Sequence, residues 1–374
     1  MTISITSAFD GGNIRPISVD GTTAELEIVI DHQSEFYQWF YFRVTGGAGQ
    51  ELTLRITNCG GSAYPKGWED YAARVSVDRE DWRCADTSYE NGVLTIRHKS
   101  DANSLWFAYF APYTTERHHE LVARIAERDG VTLQSLGKTL DGQELDYLTM
   151  GTGPLQIWLY ARQHPGESMA EWWMEGALAR LTNPDDDVAN TLRKKATLHI
   201  IPNMNPDGSK RGHLRTNAVG TNLNREWHKP TAEKSPEVLY VRNRMDETGV
   251  DFAMDVHGDE AIPANFIAGF EGIPSRTERQ SKLYDLYLEK LLEASPEFQV
   301  KLGYPVAAPR KGNLSMSTNQ VAERFGCVAM TLEMPFKDNH ERPDPDHGWS
   351  PERCAELGRE CLAALAAMID ELPV

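Results

Sequence analysis

Leu155-Gln156-Ile157-Trp158-Leu159-Tyr160-Ala161-Arg162-Gln163-His164-Pro165-Gly166-Glu167 joins an apolar run to a His-x-x-Glu pair. The run reads as a buried strand of an α/β sheet. A strand ending this way sets an imidazole and a carboxylate within reach of one point at the sheet's edge. The Pro165-Gly166 turn brings the backbone round so that both side chains face one ion. Catalytic zinc takes three nitrogen or oxygen protein ligands and keeps a fourth position for water. The third ligand expected here is His257, set in the strand-like run Asp251-Phe252-Ala253-Met254-Asp255-Val256-His257-Gly258. Asp255 or Asp259 could orient that imidazole from behind. A bare His-x-x-Glu pair is more often a surface coincidence, so its company decides.

Downstream, Cys327-Val328-Ala329-Met330-Thr331-Leu332-Glu333 places a carboxylate at the end of an otherwise apolar strand. Such a group is costly to bury without a partner or a task. Beside a metal-activated water it would serve as general base and pass the proton to a departing amine. Between the ligand candidates lie Ile201-Pro202-Asn203-Met204-Asn205-Pro206-Asp207-Gly208, then Arg215, then Thr221-Asn222-Leu223-Asn224-Arg225.

Taken in order, these residues resemble the zinc metallocarboxypeptidases of the carboxypeptidase A superfamily (peptidase family M14), and the cytosolic carboxypeptidase branch more than the secreted digestive enzymes. The resemblance covers about half of the chain and extends to Gln38–Val44 and Trp106–Tyr113 near the N-terminus. It implies one zinc per chain on His164, Glu167 and His257, with Glu333 as catalytic base. It implies that Arg215 polarises the scissile carbonyl and that Asn224 and Arg225 grip the terminal carboxylate of a substrate. The turn Asn205-Pro206-Asp207-Gly208 is expected to be scaffold, holding Asn205 or Asp207 behind the metal ligands. Digestive members carry an arginine before the glutamate ligand, where this chain has Gly166, and a mobile tyrosine in a lid loop. Arg310 to Asn319 fills that lid region without a tyrosine, and Tyr304 is the nearest one. The branch is associated with removing glutamate from acidic tails, and the pair Arg310-Lys311 would line the pocket for such a side chain.

Composition narrows the alternatives. A formal charge of -17 argues against nucleic acid, whose phosphates demand a basic face. It would also slow the approach of a polyacidic tail more than that of a short peptide. No apolar run approaches the ~20 residues of a membrane span, and Met1 to Ile5 lacks the pattern of a secretion signal. Cys59, Cys84, Cys327, Cys354 and Cys361 are odd in number and show no Cys-x-x-Cys spacing, as expected of reduced thiols in a cytoplasmic protein. Among the other histidines, His118, His119, His213, His228, His340 and His347 read as solvated or capping residues.

Length predicts two domains. Residues 1–122 read as an all-β antiparallel sandwich: alternating stretches at 24–30, 37–44, 51–58 and 93–98 are broken by Gly, Asn and Asp turns. The pattern turns helical at 114–126. Residues 123–374 read as an α/β peptidase domain with a mixed, twisted sheet flanked by helices. It has a hairpin over 136–150, strands at 155–161, 196–201, 251–256 and 327–333, and helices at 168–182, 235–247, 278–294 and 351–370. The function expected is hydrolysis of a C-terminal peptide bond, with a peptide or protein tail as partner; the sequence leaves the oligomeric state open. Two alternatives stand beside it: an amidohydrolase of small N-acyl amino acids, and a peptide-tail-binding protein without turnover.

Overall fold

The structure, a computed structural model, describes residues 2–372. The N-terminal part builds two five-stranded sheets. One runs Ser4–Thr6, Tyr41–Thr45, Ser104–Ala108, Arg74–Ser76, Arg83–Cys84, and the other Arg15–Asp20, Thr23–Glu27, Glu51–Ile56, Val93–Lys99, Asp86–Glu90. Alternate residues point inward, as period-two patterning requires: Leu52, Leu54 and Ile56 are buried while Glu51 and Arg55 face water. The pairing is antiparallel except between Thr23–Glu27 and Glu51–Ile56, which run parallel. The predicted strand over 37–44 starts only at Tyr41, because Gln38 turns inward. Its buried side-chain amide accepts from the Tyr64 backbone N–H at 2.8 Å and donates to the Tyr64 carbonyl at 3.1 Å.

The second domain is a seven-stranded mixed sheet in the order Val131–Lys138, Glu144–Met150, Ala196–Ile201, Leu155–Ala161, Phe252–Asp259, Val328–Pro335, Phe266–Ala268. The four strands from Ala196–Ile201 to Val328–Pro335 are parallel and buried almost throughout, hence their near-continuous apolar runs. Helices Met169–Leu181, Pro236–Thr248, Glu278–Ala294 and Pro351–Met368 lie where the sequence places them. The helices Asp187–Lys195, Pro206–Arg211 and Ser317–Phe325 were not foreseen. Asp186 caps the first by accepting from the Ala189 amide, which stabilises such an end by about 1 kcal/mol. Helices Met169–Leu181 and Pro351–Met368 touch backbone to backbone. A Cβ on Gly176 would come within 2.0 Å of the Ala355 carbonyl oxygen, so only glycine allows the approach.

The domains share aromatic packing: Tyr109 stacks on Phe336 with ring centroids 4.4 Å apart. No helix of the described residues is long and apolar enough to cross a membrane.

Candidate active site

The carboxyl ends of the parallel strands, where open α/β sheets place their ligands, hold the predicted cluster. After Leu155–Ala161 the chain turns through Arg162, a non-glycine residue at φ 61°. Its guanidinium fixes the turn by donating to the carbonyls of Pro165 (3.0 Å) and Tyr113 (2.7 Å) and to Glu171 Oε2 (2.6 Å). His164 Nδ1 then lies 2.7 Å from Glu167 Oε1, and His257 Nδ1 lies 2.7 Å from Glu167 Oε2 and 3.1 Å from His164 Nδ1. Each imidazole is held from behind through its other nitrogen. His164 Nε2 is 3.1 Å from Asn222 Oδ1. His257 Nε2 is 2.9 Å from Asp255 Oδ1, a close charge contact without hydrogen-bond alignment. Asp255 is in turn fixed by Gln163 Nε2 at 2.5 Å, and Gln163 Oε1 accepts from Trp227 Nε1 at 2.8 Å.

Two Nδ1 atoms and a carboxylate, all buried and converging on one point, form a donor set suited to a divalent cation with an open position. The electrostatics of the two imidazoles differ. Burial and then the Arg215 guanidinium hold His164 down to about 3, so it stays neutral, as a metal ligand must be. Burial also opposes charge on His257, but the carboxylates of Asp255 and Glu167 prevail and raise it well above its ordinary value, so a cation bound there would displace a proton. Burial, followed by the anionic neighbours Glu167, Asp259 and Glu260, pushes the Glu333 carboxyl well above its usual range. A divalent cation would relieve that anionic surplus. A second trio, His118, His119 and Asp146, also clusters. There both nitrogens of His118 are already taken, by Glu171 at 2.5 Å and Asp146 at 3.1 Å.

Glu333 pairs in register with His257 on the neighbouring strand. The Tyr304 hydroxyl stands 3.2 Å from Glu333 Oε1 and 2.7 Å from Asp259 Oδ2. Glu333 Oε2 is buried with no hydrogen-bond partner among the described residues. Arg215 approaches Glu167 Oε1 at 4.0 Å, and its guanidinium lies over the rings of Phe36 (5.7 Å) and Tyr64 (5.3 Å), both from the β domain. Asn224 is buried and spends its Oδ1 on the Ser317 amide at 2.8 Å. Arg225 is exposed, with Nη1 on the Asn224 carbonyl at 2.7 Å. Beside it a cavity of about 500 Å³ is lined by Gln33, Thr221, Asn222, Arg225 and Glu226, among others. A larger groove of about 750 Å³, between Arg124, Trp172 and Arg359, contains none of these groups; chemistry and not size marks the site.

Arg310 and Lys311 sit in an exposed loop. Among the described residues, no ion pair or side-chain hydrogen bond ties either to the cluster. The reading of His118 and His213 as solvated needs correction. Both are buried: His118 between two carboxylates, and His213 with its Nε2 accepting from the His32 amide at 3.1 Å. Asn222, Gln163, Phe36 and Tyr64 were not singled out for the site.

Fold and site together define a metallopeptidase centre, and comparison with known proteins agrees. Residues 5–110 match the model of the cytosolic carboxypeptidase N-terminal domain and residues 119–262 that of zinc carboxypeptidase. A Zymomonas mobilis protein described as uncharacterized is 61% identical over 374 residues, 100% of this chain and 98% of its own. The crystal structure of a metallo-carboxypeptidase from Burkholderia cenocepacia superposes with TM-score 0.97 at 44% identity, covering 99% of this chain and 100% of that one. A metallo-carboxypeptidase from Pseudomonas aeruginosa, in complex with (2-guanidinoethylmercapto)succinic acid, gives 0.96 at 41%, covering 98% and 99%. Vertebrate proteins named cytosolic carboxypeptidases match at 24–27% identity, and the chain spans only 24–39% of their length. The chain belongs to the zinc carboxypeptidase family, M14, in the branch that carries the cytosolic carboxypeptidase N-terminal domain.

Proposed function

We infer that the chain removes single residues from peptide C-termini with one zinc held by His164, Glu167 and His257, working in the cytoplasm. The observation that carries this reading is the convergence of those three donors beside Glu333, with the Arg215 guanidinium 4.0 Å from Glu167. When bound, zinc lowers the pKa of a water molecule and polarises the scissile carbonyl. Glu333 takes the water's proton on its unpartnered Oε2 and delivers it to the leaving amine. The Arg215 guanidinium stabilises the oxyanion that develops on the carbonyl. Arg225 pairs with the terminal carboxylate, and Asn224, its Oδ1 already committed, contributes the Nδ2 hydrogens.

For the departing side chain we favour glutamate or aspartate, met by Arg310 and Lys311. The compound bound by the Pseudomonas relative has two carboxylates, which suits carboxylate recognition. It also bears a guanidino group, so a basic terminal residue is the competing outcome. Peptides that differ only in their last residue, assayed for the released amino acid, decide between them. Turnover of tripeptides, in the same assay, excludes an amidohydrolase restricted to small acyl groups, and any turnover excludes a pure binding protein.

A further inference from the structure

We propose that the β domain is part of the catalytic centre: Asp31 is a positioning residue that holds the Arg215 loop, while Phe36 and Tyr64 fix the guanidinium itself. This rests on the reading of Arg215 as the oxyanion-stabilising group. Asp31 is buried at 2% exposure and its carboxylate reaches across the domain boundary. Oδ1 accepts from the Leu214 amide at 2.7 Å; Oδ2 accepts from the amides of Arg215 at 2.8 Å and Thr216 at 3.0 Å and from the Thr216 hydroxyl at 3.0 Å. Charge-assisted bonds of this kind are roughly twice as strong as neutral ones, and one carboxylate makes four of them to this loop. His213 adds a fifth link by accepting from the His32 amide at 3.1 Å, while its Nδ1–H bonds the Thr216 carbonyl at 3.0 Å.

Beyond the backbone, the Arg215 side chain is confined between Phe36 and Tyr64. Tyr64 is held in turn by the buried Gln38 amide, which bonds both its N–H and its carbonyl. A donor aimed at a developing oxyanion is effective only when it is fixed before the reaction. Here the carboxylate that binds the 214–216 amides and both rings under the guanidinium come from the β domain, so the α/β domain alone would carry a complete metal site and a looser arginine.

A double-mutant cycle tests this on the full-length, zinc-loaded chain. Asp31→Asn keeps the shape of the side chain but removes its charge and sets a donor against the amides. It is expected to lower kcat by about tenfold or more with little change in KM and with zinc content unchanged. In an Arg215→Ala background the same substitution should change kcat/KM by less than about twofold, since its effect passes through the arginine. Amide exchange of Leu214, Arg215 and Thr216 should quicken in Asp31→Asn. Should that variant fail to fold, Phe36→Leu with Tyr64→Leu, at half-buried positions, enters the cycle in its place. Equal slowing in both backgrounds, or unchanged kcat in the wild-type background, overturns the proposal. A wild-type protein that cleaves no peptide would refute the activity instead, and the exchange measurement would still decide whether Asp31 holds the loop.

Discussion

His257 and Glu333 are register partners on adjacent parallel strands. The proposed metal ligand and the proposed acid–base carboxylate therefore rise from neighbouring strands at the same level of the sheet, one strand spacing apart. Their separation is set by backbone hydrogen bonds and not by loops, which is how a site gains sub-ångström precision.

That placement makes the first prediction sharp. Glu333→Gln should retain zinc and fold while losing nearly all peptide turnover, because an amide cannot accept the water's proton. Residual activity above about a tenth of wild type would mean that another base operates.

Metal analysis of the purified protein should give one zinc per chain, and Ala at His164, Glu167 or His257 should abolish it. Asp255→Asn should keep all three ligands yet weaken zinc about 10–100-fold in a chelator competition, since the carboxylate behind His257 raises its basicity. Near-normal zinc in His257→Ala would dismiss the third ligand.

For specificity, peptides ending in Glu or Asp should be cleaved better than those ending in Leu or Phe. Arg310→Ala with Lys311→Ala should narrow the gap by roughly 1–3 kcal/mol in transition-state terms, the worth of charge-assisted hydrogen bonds. Because both side chains are exposed, the effect should also shrink with added salt. A preference for aromatic or basic ends, untouched by the double substitution, would show that the pocket lies elsewhere.

Stability should fall on the alkaline side through His118. Burial opposes its charge, but the carboxylates of Glu171 and Asp146 prevail and raise the imidazole to about 9. A folded pKa above the unfolded value means the stabilisation is complete below about 6.5 and is lost as pH rises through about 9. His118→Gln should therefore melt well below wild type at pH 6 and much closer to it at pH 10. A constant difference in Tm across that range would show that the imidazole is not charged in the fold.

How far the sequence could be read depends on what each residue answers to. The parallel strands were legible because burial on both faces leaves long apolar runs, and His164, Glu167, His257 and Glu333 were legible because they end those runs. Short helices such as Ser317–Phe325 were not, since nine residues give only about two and a half turns, too few for their apolar face to stand out from a loop. Asp31 was invisible for another reason. Its partners are backbone amides 183–185 positions away, and an amide is the same whatever residue bears it. His118 misled because a histidine's burial depends on carboxylates that only the fold brings near.

Gly166 has a consequence for descent and for engineering. Any side chain there would begin 2.9 Å from the Leu214 carbonyl oxygen, which already accepts the Gly166 amide at 2.9 Å, while the Leu214 amide rests on Asp31. An arginine at this position, as the digestive enzymes carry, and a docked β domain thus compete for the same space. In this chain, filling position 166 would require the Leu214 carbonyl, and with it the loop that Asp31 holds, to move. A chimera that grafts a digestive-type turn onto this chain would have to give up the domain contact with it.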